Sequence, residues 1–380
     1  MSKEALNKNR AGRQSGPEAL RCVAMLLVTV LHYLGKGNLL PSMADGGMDA
    51  TGALAWLLES FAIVAVNCYI LISGYFSGQP RAWLGKGIRL YLRVWVFSAG
   101  IGLLCAALGV VPAESLTANY YLKILFPVSM GHYWFMTAYL FFYLLLPLVS
   151  VALAHLNAKQ TGVILCGMLL FHCILKSILP FYLDITTNGY DWTWFFTVFL
   201  AGAYLRKADP AFLKKRGLCL GLYVGGCLLV TLRGLLLAFV YRRTGMLGPL
   251  IGQNIDYNQI FVLLAALGLF GVFLSLDGKI SGVLARLAPY TLGVYLLQEN
   301  LAIRFLWPGW LGSGNVNGPV SLILHVFLAA IAAFAAGVAV DWLIVSGLDL
   351  LGRGLERIPV CAGLMRRIRD IDACMAKSEQ

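Results

Sequence analysis

The sequence predicts an all-α polytopic membrane protein, a bundle of about ten transmembrane helices with both termini in the cytoplasm. Three observations predict it. The 380 residues are 59% hydrophobic and only 13% charged, with a mean hydropathy of +0.76, whereas soluble domains carry about 25% charged residues. Ten apolar runs long enough to span fall at 17–36, 51–76, 86–110, 132–153, 160–180, 190–206, 217–241, 256–276, 288–307 and 319–350, each crossing needing about 20 residues. With the N-terminus inside, 20 of the 30 Lys and Arg lie in cytoplasmic loops and tails, four in outer loops and six within spans. Such a bias orients a bundle.

The net charge of +12 therefore reads as a topology signal and not as a nucleic-acid footprint. A basic tail, 1–16, precedes a membrane domain, 17–350, and a second basic tail, 351–380, follows it. The loop from Asp184 to Asp191 lacks Lys and Arg and falls outside, as this topology requires. No soluble domain of useful size is present, so any chemistry belongs inside the bundle or at its rims. The nine Cys show no metal spacing. Seven lie in apolar runs as small hydrophobes, and Cys361 and Cys374 lie in the C-terminal tail. No metal site is expected. No small-residue cleavage site follows the first span, which is expected to stay as an anchor.

The first span, PEALRCVAMLLVTVLHYLGK, carries Arg21 and His32. Eleven residues turn a helix by three turns plus about 20°, so the two share a face about 16 Å apart along the axis. Ionisable groups inside a span are costly and mark function by default. The alternatives are a snorkelling Arg21 and a neutral His32 bonded to a nearby carbonyl. The second span ends NCYILISGYF; Asn67 is polar within it, and Ser73-Gly74 permits close backbone approach, which helix packing alone also explains.

The third span opens LGKGIRLYLRVWVF. Lys86, Arg89 and Arg93 fall on one face at spacings of three and four. Arginine forks match phosphate oxygens, so this stripe suits a phosphate-bearing ligand at the cytoplasmic end; snorkelling anchors are the alternative. His132, Tyr133 and Trp134 open the fourth span at the outer rim, where an aromatic belt accounts for the last two. The ninth run, APYTLGVYLLQENLAIRFLWPGWL, buries Gln298, Glu299, Asn300 and Arg304. Glu299 is placed to orient or balance His32 or Arg21; otherwise it is a buried ion pair that specifies packing. On a continuous helix Arg304 would lie about 140° around from Glu299. The last run, 319–350, is long enough to tilt or to continue along the surface. His155, His172 and His325 form no usable cluster.

Taken together, these segments resemble the membrane-bound acyltransferase 3 family, bacterial O-acyltransferases that modify envelope glycans. Arg21-x10-His32 matches the family's arginine–histidine signature. NCYILISGYF looks like its second-helix ending, HYWFMTAYLFFYLLLPL like its fourth helix, and TLGVYLLQEN, with Tyr295, like a late-helix motif that often reads Tyr-Leu-Ile-His-Glu-Asn. Two departures stand out. The family's R-x-x-R in the third helix is met here only by Lys86-x-x-Arg89, and the late-helix His is Gln298. The chain is similar to the stand-alone kind, without an SGNH-type domain.

The resemblance implies acetyl-CoA or another acyl-CoA as donor substrate, with no bound cofactor. It implies Lys86, Arg89 and Arg93 on the donor's phosphates, His32 as general base on a glycan hydroxyl, and Arg21 and Glu299 as its catalytic support. Asn67, Ser73, His132, Tyr133, Trp134, Tyr295, Gln298 and Asn300 are the supporting or substrate-facing candidates. The acceptor would be a lipid-linked or nascent polysaccharide at the bacterial cytoplasmic membrane, and polysaccharide-biosynthesis proteins are possible partners. The rival class is a transporter or flippase of a small or lipid-linked substrate, since buried Arg, His and Glu also line translocation paths.

Overall fold

The computed structural model describes residues 14–77, 82–178, 188–276 and 282–377. Residues 1–13 of the N-terminal tail and 184–187 of the outer loop lie outside the described residues.

Among the described residues, eight helices are long and apolar enough to cross a membrane. The first is α1 (Ser15–Lys36). The second is broken at Ile63-Val64 into α2 (Ala50–Ala62) and α3 (Ala65–Tyr75). The third joins α4 (Trp83–Trp95) to α5 (Ile101–Ala107) through a π-turn at Val96–Gly100. A short helix, α6 (Ala118–Leu125), precedes α7 (Trp134–His155). Then follow α8 (Ala158–Leu169), which runs through a π-turn at Leu170–Ile174 into α9 (Leu175–Ile178), α10 (Trp192–Ala208), α11 (Arg216–Thr244) and α12 (Ile260–Leu274). The last elements are α13 (Gly282–Leu287), α14 (Thr291–Gln298), α15 (Pro319–Leu355) and α16 (Pro359–Lys377).

The run 190–206 forms a helix of 17 residues, Trp192–Ala208, about 26 Å long at 1.5 Å per residue. One expected span differs from the structure. The run 288–307 is not one helix. α14 stops at Gln298, and the chain turns through 299–306 before a short helix at Trp307–Trp310. The 140° offset expected between Glu299 and Arg304 therefore does not hold. The cause is local competition for backbone groups: Asn300 Oδ1 accepts from the Ala302 amide at 3.1 Å, and His132 Nε2 accepts from the Leu301 amide at 2.8 Å. Polar side chains that capture backbone donors displace the helical ladder.

The long last run does form one helix of 37 residues, about 55 Å by helical rise and so longer than the roughly 30 Å hydrocarbon core. Beyond it, α16 returns to the start of α4. Asp372 accepts from the Leu84 and Gly85 amides at 2.7 and 3.1 Å, which satisfies donors that a helix start leaves open. The C-terminal segment and the start of the third span thus share one side, as the charge bias requires.

Small residues let the central helices touch. A Cβ on Gly74 of α3 would lie 2.0 Å from the Phe199 carbonyl oxygen of α10, and one on Gly293 of α14 would lie 2.2 Å from the Asp341 Cβ of α15. Without hydrophobic drive between helices in lipid, such backbone approach supplies the packing. Leu232, Leu236 and Phe239 on α11, and Ile323, Phe327 and Leu328 on α15, are exposed and meet acyl chains in a bilayer.

Candidate active site

A cavity of about 300 Å³ opens among α1, α3, α7 and α14. Arg21, Met25, Val28 and His32 all line it; their spacings of four, three and four are one helix face. The shared face expected for Arg21 and His32 is therefore a wall of one chamber. Ser73, Trp134 and Tyr295 also line it. So do Tyr69 and Tyr139, which the sequence reading did not single out. Arg21 donates to Glu18 at 2.7 Å, and its carbonyl accepts from the Tyr69 hydroxyl at 2.6 Å. Its side chain keeps 31% exposure. Glu299 does not contact it.

Glu299 instead meets His32. Both imidazole nitrogens are engaged: Nδ1 lies 3.0 Å from Gln298 Oε1, and Nε2 lies 3.0 Å from Glu299 Oε1. Lys36 bonds that same Glu299 oxygen. Gln298 Nε2 donates to Thr29 Oγ1 at 2.8 Å, and Thr29 donates onward to the Met25 carbonyl at 3.0 Å. With the hydroxyl proton so used, Thr29 accepts, Gln298 turns its oxygen to His32, and Nδ1 carries a proton. Nε2 is then the nitrogen that can gain or lose one, with Glu299 beside it to meet an imidazolium. Lys36 balances Glu299 when the imidazole is neutral. Sequence reasoning placed Lys36 in an outer loop. Its four-residue spacing from His32, on the same helix face, was the available signal.

The position of Glu299 depends on the helix break, and the break depends on His132, Tyr133 and Asn300. His132 accepts the Leu301 amide at Nε2, so its Nδ1–H donates to Ser98 Oγ in the π-turn at 3.0 Å. The ring stacks on Tyr133 with centroids 4.0 Å apart. The Tyr133 hydroxyl donates to the Leu296 carbonyl at 3.0 Å, and Asn300 Nδ2 donates to the Phe97 carbonyl at 2.9 Å. None of the three lines the chamber; they hold the segment that presents Glu299.

Asn67 is likewise structural in placement. It donates to the Tyr257 carbonyl at 2.8 Å and accepts from Trp194 Nε1 at 2.9 Å, fully buried. Ser73 lines the chamber, but its hydroxyl bonds the Tyr69 carbonyl of its own helix at 3.0 Å. Trp134 stacks on Tyr257, with centroids 5.6 Å apart.

Lys86, Arg89 and Arg93 line a second, larger cavity of about 650 Å³. Its other walls come from Pro289 and Tyr290, in the turn before α14, and from the end of α15, including Arg353, and Asp349 is the one carboxylate among its lining residues. Arg89 pairs with Asp349. Arg93 is held by the buried Asp341, Nε to Oδ1 at 2.7 Å with a second bond to Oδ2, and it donates to the Pro289 carbonyl at 3.1 Å. Neither Asp was foreseen, because each stands alone in an apolar run and finds its partner only across helices. Leu90 and Pro289 line both cavities, so the basic vestibule and the chamber share a wall there. Among the described residues no three His, Cys, Asp or Glu side chains group as a metal site.

Residues 14–342 match the family described as an acyltransferase domain. The chain belongs to this family. It is a multi-pass membrane acyltransferase, and the matched stretch runs from the start of α1 through most of α15. No curated protein and no solved structure matches the chain.

Proposed function

We propose that this acyltransferase moves an acyl group, of which acetyl is the simplest, from a cytoplasmic acyl-CoA to a hydroxyl of a cell-envelope glycan, with His32 as general base. The observation that carries the reading is the pair of adjoining cavities. A vestibule with four cations and one carboxylate suits the phosphates of a nucleotide thioester. It shares a wall, at Leu90 and Pro289, with a mostly apolar chamber that an imidazole lines. The phosphates displace Asp349 from Arg89, and the pantetheine arm passes Leu90 and Pro289 toward His32.

With the imidazole neutral, the bare Nε2 makes no hydrogen bond to the Glu299 carboxylate, and the acceptor hydroxyl becomes its donor. Its oxygen attacks the thioester carbonyl while Nε2 takes the hydroxyl proton. A C–O bond forms, the C–S bond breaks, and the thiolate leaves. The imidazolium, met by Glu299, returns the proton to the thiolate. Gln298 and Thr29 hold Nδ1–H throughout, a role that needs no titratable group and so is open to Gln where relatives are expected to carry His. Arg21, at the cytoplasmic end of the chamber, stabilises anionic groups of the donor.

The test is thiol release from acetyl-CoA by the purified protein with a polysaccharide acceptor, together with mass spectrometry of surface glycans from a deletion strain. Acceptor-dependent release that disappears in His32→Ala is the expected result. Release independent of any glycan, or undiminished in that variant, would overturn the assignment.

A further inference from the structure

At the outer end of the bundle, by the charge bias, a groove of about 400 Å³ lies between α6 and the broken segment that follows α14. Lys123 and Arg304 line it with Thr117 and Asn119, and no carboxylate is among its lining residues. Glu114, on the same loop, is not part of that wall.

The two cations are unusual for their position. Outer loops hold four of the 30 Lys and Arg, counting Lys36, Lys123, Arg242 and Arg243. Lys36 is spoken for by Glu299, Arg242 donates to the Met43 carbonyl at 3.0 Å, and Arg243 lies over the Phe239 ring. Among the described residues no carboxylate pairs with Lys123 or Arg304. Arg304 lies over the Phe305 ring at 4.9 Å, and its Nε is buried with no hydrogen-bond partner. A cation with no paired carboxylate among the described residues is costly to hold within a membrane bundle.

Two further features say what would supply it. The groove's flank includes Phe305 and Leu306, both exposed, so a ligand there has an apolar part as well as an anion. Its inner wall includes Leu301 and Ala302, the residues held by His132 and Asn300 directly after Glu299. Arg304 lies near enough to Glu299 and Lys36 for their charges to act on one another.

We propose that this groove is an anion subsite for the phosphate ester of a long-chain lipid alcohol, the anchored end of the acceptor. Lys123 and Arg304 hold the phosphate, and the hydrocarbon lies along Phe305 and Leu306. Docked so, the glycan attached to the phosphate is directed over the segment that carries Glu299, toward His32. The subsite rests on the acyl-transfer reading only for calling its ligand the acceptor.

The full-length protein in phosphatidylcholine nanodiscs is titrated with a polyprenyl phosphate, with the matching polyprenol and with phosphatidylglycerol, and bound lipid is counted by native mass spectrometry. Saturable binding of the polyprenyl phosphate, about tenfold tighter than of either other lipid, is expected, since the polyprenol lacks the anion and phosphatidylglycerol carries a singly charged diester in place of the terminal phosphate. Lys123→Gln and Arg304→Gln should each lower that affinity about tenfold, as the loss of a charged hydrogen bond implies. Lys123→Gln serves where the more enclosed Arg304 variant does not fold. Equal binding of polyprenol, equal binding of phosphatidylglycerol, or unchanged affinity in a folded variant would each overturn the subsite. Because no acyl donor is present, binding that persists while glycan acylation fails would count against the proposed reaction and not against the subsite.

Discussion

A buried lysine, Lys176, and a half-buried one, Lys36, each face a carboxylate in this bundle, yet they are built differently. Lys176 Nζ bonds Asp256 at 2.7 Å and the Asn188 and Asn258 side-chain oxygens at 2.8 Å each. Three donors meet three acceptors, and the ammonium has nothing left to offer. Lys36 bonds one oxygen of Glu299, and that oxygen is shared with His32 Nε2. The first arrangement is closed and ties α9 to the approach of α12. The second leaves a carboxylate contested between a fixed cation and a group that gains and loses a proton, and its imidazole forms a wall of the chamber. On the proposed reaction, saturation of the ammonium separates the structural ion pair from the one beside the base.

The largest effect that can break this contrast is at the closed site. Lys176→Met takes the bonded cation from the buried Asp256, leaving it only the more distant charge of Arg233, and should cost about 3–5 kcal/mol of stability, read as a loss of monodisperse protein and a lower thermal midpoint in detergent. Turnover per folded molecule should stay near that of the parent. Lys36→Met should do the reverse, lowering the acyl-transfer rate about ten- to a hundredfold, as a lost charged hydrogen bond of roughly 1.5–3 kcal/mol implies, with a small change in midpoint. If the two variants behave alike, the distinction drawn from saturation fails.

How much of this was legible in the sequence differs by residue. Arg21 and His32 share a face because a spacing of eleven is a property of any helix, and the basic stripe of α4 follows from spacings of three and four. The helix break at Glu299 was not legible, because the apolar run through 288–307 reads as continuous and the side chain that stabilises the break, His132, lies over 160 residues away. Asp341 was missed for the same reason: its partner, Arg93, is 248 residues distant. The pairing of Lys36 with Glu299 was hidden by the place of Lys36 at the end of an apolar run, where a topology signal is the usual reading.

Smaller effects sharpen the picture of how the reactive site is held. Gly293→Ala forces a methyl group against Asp341 and should destabilise by about 1–3 kcal/mol, as overpacking does, measured by thermal unfolding; a neutral result would mean that α14 and α15 separate easily. Thr29→Val removes the acceptor that orients Gln298 and should reduce the transfer rate a few-fold, in line with roughly 0.5–1.5 kcal/mol for one neutral hydrogen bond. An unchanged rate would remove Gln298 from the account of the His32 tautomer.

The most direct measurement is the single-turnover rate of acyl transfer by His32→Gln. Glutamine keeps a polar side chain toward Gln298 and Glu299 but cannot take a proton. The rate should fall at least about 100-fold, the lower end of general-base contributions, in protein that remains folded and still binds acyl-CoA. A folded His32→Gln variant that transfers the acyl group at the parental rate would contradict the central claim.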